Sequence, residues 1–196
     1  MRHDATADTV TETDNRPSDR VLALEQMSLR DLEQVFLDGA TPDLDQLAGW
    51  EFRGLNSPRW FRMLGIKKFM KGFYKRDADV YGYNCPVVQN AIEDPWIAKP
   101  DDANPKRFGF YRVSHVDPTS RDNEYLHAVL LDYGRGGNPR TDPSGGLRDY
   151  LVQVDPADPS LYLGKAYYAI GPLRIPTASF FILERHRPGL TNVGLR

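Results

Sequence analysis

Cysteine is almost missing from these 196 residues, with Cys85 standing alone. One thiol excludes an intramolecular disulfide framework and a thiolate-rich zinc site, so packing must hold the fold, and a reducing cytoplasm is the expected setting. Long apolar runs are missing as well. Residues 1–20 mix Asp, Thr, Glu and Arg with hardly any large apolar side chain, which leaves no core for a signal peptide or a membrane span. The same poverty predicts a disordered tail, because the stretch buries too little surface to offset the entropy of ordering it. A charge excess is absent too: the formal net charge is −2, whereas nucleic-acid-binding domains ordinarily carry a basic surplus. No nucleic-acid partner is expected.

Signatures of bound groups are equally scarce, and the reading calls for no cofactor and no metal. Tyr133-Gly134-Arg135-Gly136-Gly137 leaves a strand-like run but opens no helix, and it lacks the Gly-x-Gly-x-x-Gly spacing and a Walker lysine. It reads as a long hairpin loop with Arg135 and Arg140 solvated at its tip. His115, Asp117 and His127 flank a turn without an identified further ligand. Cys85 has no histidine close to it in sequence to serve as its base.

What is present is an ordinary globular composition, 40% hydrophobic and 27% charged, enough for one core over residues 21–196. Ser28 and Asp31 have capping-box spacing, and Leu29, Leu32, Val35 and Phe36 recur at helical period up to Gly39, placing a helix over 28–38. Thr41-Pro42 opens a second, two-turn helix over 42–48. The period then drops to two from Trp50 to Leu55, a first strand. Ser57-Pro58 repeats the cap-plus-proline signal, and Ile66, Phe69, Met70, Phe73 and Tyr74 predict a basic amphipathic helix over 58–74. Residues 77–104 hold scattered prolines and no sustained period, so an irregular connection is expected, with a strand near Tyr81 to Val88.

Beyond Pro105, five segments rich in Tyr, Phe, Val, Leu and Ile (107–116, 125–133, 147–155, 161–170 and 175–187) alternate with Asp-Pro and Gly-rich turns. No helix interrupts them. Successive strands without crossovers pair antiparallel, and a run this long curls into a barrel or strongly bent sheet to remove its edges. The fold class is therefore α+β, mainly β: an antiparallel meander with N-terminal helices and one inserted basic helix.

A short helix followed by Leu47-Ala48-Gly49-Trp50-Glu51-Phe52-Arg53-Gly54 on a first strand, and then by a meander, resembles the lipocalin and fatty-acid-binding (calycin) barrels. In that group a Gly-x-Trp motif opens the first strand and a basic residue of the last strand packs across the Trp. Here Gly49 and Trp50 are adjacent, and Arg185 or Arg187 is in place to supply the basic partner. The resemblance implies a small apolar molecule held inside the barrel.

Two sets of residues are candidates for function. Trp50, Tyr111, Arg148, Tyr150, Tyr167 and Arg185, with Tyr168, would give a barrel cavity polar and aromatic handles for a ligand with or without a carboxylate; plain packing is the competing reading. Lys67, Lys68, Lys71 and Lys75 would share one flank of the basic helix and meet an anionic membrane or a partner, against the plainer reading of a helix packed over one barrel end. The leading expectation is a non-catalytic binding protein for a small hydrophobic ligand, the alternative a peripheral membrane or partner-docking protein. An enzyme, the third reading, would need Glu51, Asp149, His115 or His127 to face a cavity.

Overall fold

The computed structural model describes residues 15–57, 65–171 and 173–191. Three helices, α1 (Asp19–Gln26), α2 (Leu29–Asp38) and α3 (Leu44–Leu47), precede eight strands: β1 (Trp50–Ser57), β2 (Lys68–Arg76), β3 (Asp79–Pro86), β4 (Phe108–His115), β5 (Val129–Asp132), β6 (Leu147–Asp155), β7 (Asp158–Ile170) and β8 (Leu173–Pro188). Each strand pairs antiparallel with the next, and β8 returns to β1, closing the barrel. Closure pairs the strands on both sides over most of their length, while residues 173–179 of β8 pair with β7 alone. Gly171, at φ 54°, takes the left-handed position after β7, in a turn that the sequence suggested, and Asp77, at φ 57°, takes it between β2 and β3, where the sequence suggested none.

Strand alternation sends side chains to two environments, which is why strands such as Val129–Asp132 are apolar on both faces. The lumen collects Phe52, Phe73, Tyr111, Val113, Val129, Leu131, Leu151, Tyr162 and Leu183, with Leu47 of α3 packed among them. Outside β6, β7, β8 and β1, the helices α1 and α2 press Val21, Leu24, Leu32 and Phe36 onto Leu55, Val152, Leu163, Phe180 and Ile182. Outside β2 and β3, the 87–104 connection brings Val87, Trp96 and Ala98 onto Met70, Tyr81, Tyr83 and Cys85. That connection, irregular as expected, wraps the barrel, while 79–86 supply its third strand.

The helix expected over 58–74 is corrected by the structure. Residues 58–64 lie outside the described residues, and Lys68–Arg76 form β2. The apolar residues assigned to one helical side divide between strand faces, Phe69 and Phe73 packing with the lumen cluster and Met70 and Tyr74 with the outer one. Pairing with β1 and β3 along its length overrides the local helical period. In α2, Ser28 caps as expected, its Oγ accepting from Asp31 N–H at 3.2 Å. Gly39 follows α2 with φ −65°; its lack of a side chain serves close packing, since a Cβ there would stand 2.6 Å from Val152 Cγ2. Of the tail expected over 1–20, residues 1–14 lie outside the described residues, and α1 starts at Asp19 behind a Ser18 cap.

Candidate functional site

The barrel is filled at one end and hollow at the other. At the filled end α3 closes the lumen, and Trp50 lies under the Arg185 guanidinium, 4.7 Å from its ring centroid, while Arg185 also donates to the Gln46 carbonyl at 2.8 Å. At the other end, Asn56, Phe69, Asn84, Phe108, Tyr133 and Phe181 line a cavity of about 250 Å³ together with Lys71, Asp149 and the small residues Gly109, Ser144, Ala166, Thr177 and Ser179. Glycines hold this space open: a Cβ on Gly54 would stand 2.3 Å from the Phe69 ring, and one on Gly164 2.0 Å from the Phe181 ring. Both rings lie against the wall because those positions carry no side chain.

The floor of the cavity is polar. Alternation along β2 turns Lys71 inward between Phe69 and Phe73, and alternation along β6 does the same for Asp149 between Leu147 and Leu151. Lys71 Nζ donates to Asp149 Oδ2 at 3.0 Å, to Tyr133 Oη at 2.5 Å and to Asn84 Oδ1 at 3.0 Å, three acceptors for the three protons of an ammonium. Tyr133 in turn donates to Asp149 Oδ2 at 3.1 Å, and Asn84 Nδ2 donates to the Gly109 carbonyl at 2.9 Å and to Tyr133 Oη at 3.3 Å. Lys71 is 3% and Asp149 2% exposed, so the pair is nearly dry. Burial pulls the Lys71 ammonium below its usual value, against the opposing pull of Asp149. Burial and the same carboxylate push the Tyr133 phenol well above its usual value. The faces of Tyr111, Tyr133 and Phe181 stand 4.8, 5.1 and 5.2 Å from Nζ, a cation–π surround.

Of the ligand candidates, Tyr111 is in the filled half of the lumen, beneath Lys71, and Trp50 and Arg185 seal the far end. Tyr150 and Tyr167 stack at 5.5 Å on the outer face, and Arg148 is paired with Asp132 at 3.1 Å. The structure does not bring these six to one cavity. Nor do the four lysines share a flank. Lys71 is inside the barrel; Lys68 is buried under the Trp96 ring, 3.7 Å from its centroid, and donates to Asn90 Oδ1 and to the Ala91 and Asp94 carbonyls; Lys75 meets Asp45 of α3 at 2.7 Å; Lys67 is half-buried. Burial lowers Lys68 to about 8. Lys68 thus ties the 87–104 connection to the barrel wall.

Among the carboxylates and histidines weighed for an enzyme pocket, Asp149 lines the cavity. Glu51 is outside, accepting from Tyr83 Oη at 2.9 Å and from Arg187 Nε at 2.7 Å. His115 is exposed at the end of β4, and His127 contacts the Phe36 carbonyl at 3.1 Å. Cys85 is buried in the outer cluster, its thiol pushed up to about 12 by burial. Sequence reading missed Asn84 and Tyr133 and put Lys71 on the surface. A period of two through Phe69, Lys71 and Phe73 was the signal that would have turned Lys71 inward.

No protein-family model matches the chain, and no curated relative does. A solved structure described as a protein from Thermomonospora curvata superposes with a TM-score of 0.49 at 18% identity, over 90% of this chain and 100% of that one. The described strands form a closed eight-stranded antiparallel barrel. Among the described residues no helix is long and apolar enough to cross a membrane.

Proposed function

We propose that this protein is a binding protein, set in the cytoplasm, that holds a small and mainly apolar molecule in the hollow half of its barrel with its polar end on the Lys71–Asp149 floor. The observation that carries this is the pairing of an apolar-walled cavity of about 250 Å³ with one buried polar cluster at its base, the combination ligand sites use for affinity and for orientation. At roughly 20–30 Å³ per heavy atom, the cavity takes on the order of ten such atoms, and its open mouth lets a longer chain protrude. Lys71, Tyr133 and Asn84 direct their donors to one another, to Asp149 and to the Gly109 carbonyl, which fixes the floor as an orienting surface.

The test is fluorescence titration with N-phenyl-1-naphthylamine, a neutral probe that brightens in apolar surroundings. Saturable binding to the native protein, weakened at least fivefold by Ala166→Phe, which fills the cavity, supports the reading. An unsaturable response, or one that Ala166→Phe leaves unchanged, overturns it.

A further inference from the structure

The hydrogen-bond inventory of the floor narrows the ligand's chemistry. Every donor of Lys71, Tyr133 and Asn84 is used: the three ammonium protons of Lys71 go to Asn84, Tyr133 and Asp149, the Tyr133 hydroxyl goes to Asp149 Oδ2, and both Asn84 amide protons go to Gly109 and Tyr133. What remains is an acceptor. Asp149 Oδ1 is fully buried and has no hydrogen-bond partner among the described residues, while Asp149 itself lines the cavity. A buried carboxylate oxygen without a partner is costly, and a ligand proton delivered through the cavity would remove that cost. Ser144 Oγ, on the same lining, is also buried and unpartnered.

We infer that the polar end of the ligand is a neutral hydrogen-bond donor, an aliphatic or aromatic alcohol, that donates to Asp149 Oδ1. This rests on the cavity reading above and goes beyond it by excluding the other common end groups on electrostatic grounds. A carboxylate would set a second anion against Asp149, with only the Ser144 hydroxyl left to donate to it, although Lys71 at first sight invites one. An ammonium would stand beside Lys71 in a dry site, where like charges are poorly screened. An ether or a ketone can accept from the Ser144 hydroxyl but leaves Asp149 Oδ1 without a proton. A hydroxyl satisfies Oδ1 without adding charge.

The experiment displaces N-phenyl-1-naphthylamine from the native protein with three chains of matched length: 1-decanol, decanoate and 1-methoxynonane, the last an isomer of decanol that cannot donate. A hydrogen bond to a buried carboxylate corresponds to roughly ten- to hundredfold in affinity, so 1-decanol is expected to bind at least tenfold more tightly than 1-methoxynonane and than decanoate. Asp149→Asn, whose amide both donates and accepts, is expected to bring the alcohol and the ether within about threefold of each other. Decanoate or the ether equalling decanol on the native protein overturns the inference and leaves the cavity reading standing. A preference unchanged in folded Asp149→Asn does the same. Failure of all three chains to displace the probe overturns both. The native-protein comparison needs no variant, so it decides even if Asp149→Asn does not fold.

Discussion

Lys71 shows how far a single side chain depends on its surroundings. A lysine is the residue least expected inside a barrel, and it is stable there because three oxygens and three ring faces replace its water. Removing it alone leaves Asp149 as an unpaired carboxylate in the lumen, so Lys71→Met is expected to cost about 3–5 kcal/mol of stability in urea unfolding. The double substitution Lys71→Met, Asp149→Leu, which replaces the pair by apolar groups, is expected to recover most of that loss; recovery of none would show that the pair's charges are not what sets the cost. His186 supplies the residue-scale pH dependence. It is half-buried on β8, and neither ring nitrogen has a hydrogen-bond partner among the described residues. Burial, with Arg53 and Arg187 nearby and only Asp102 opposing them, lowers it to about 4 from a usual value of 6.5. Between those values the unfolded chain binds the proton and the folded chain does not, so the neutral ring favours the fold fully above pH 6.5, and this contribution is lost as pH falls to about 4. The stability difference between the native protein and His186→Gln, followed by urea unfolding from pH 7 to pH 4, should therefore shift against the native protein on acidification. A constant difference would mean that His186 titrates normally.

At the scale of elements, the hollow half is a product of two glycines on strands that flank β8. Gly164 of β7 faces Phe181 of β8 across the pairing, and its missing side chain is filled by that ring. Gly164→Ala is expected to cost about 1–3 kcal/mol by overpacking and, by driving Phe181 into the cavity, to weaken probe binding several-fold. Unaltered stability and binding would show that the ring has another place to go. Strands such as Leu147–Asp155 and Asp158–Ile170 were legible in the sequence because runs rich in Val, Leu and Tyr between turn residues suit strands buried on both faces. β2 was not. Its apolar residues satisfy both a helical period and a strand period when the outer face is buried as well, and only Trp96 and the 87–104 connection make that outer face apolar. The site shared this fate, since Lys71 lies on β2, and with the strand read as a helix its basic residues fell on an imagined surface. The Ser28 cap and the Trp50–Arg185 contact were legible because each depends on a motif whose partner is nearby or at the matching end of the chain.

For the whole molecule, the sequence by itself determined a mainly β fold without an intramolecular disulfide, built as a meander of antiparallel strands behind short helices. These follow from composition, from period and from turn residues, all of which act between neighbours along the chain. The tertiary structure decided between the barrel and the bent sheet that the sequence left open, and it alone decided that the closed barrel is packed at one end and hollow at the other and that Lys71 of β2 meets Asp149 of β6 across the lumen, 78 residues apart. No local pattern encodes such a meeting. It arises because closing eight strands turns alternate side chains of distant segments toward one axis, where two charges shut away from water are stable only together.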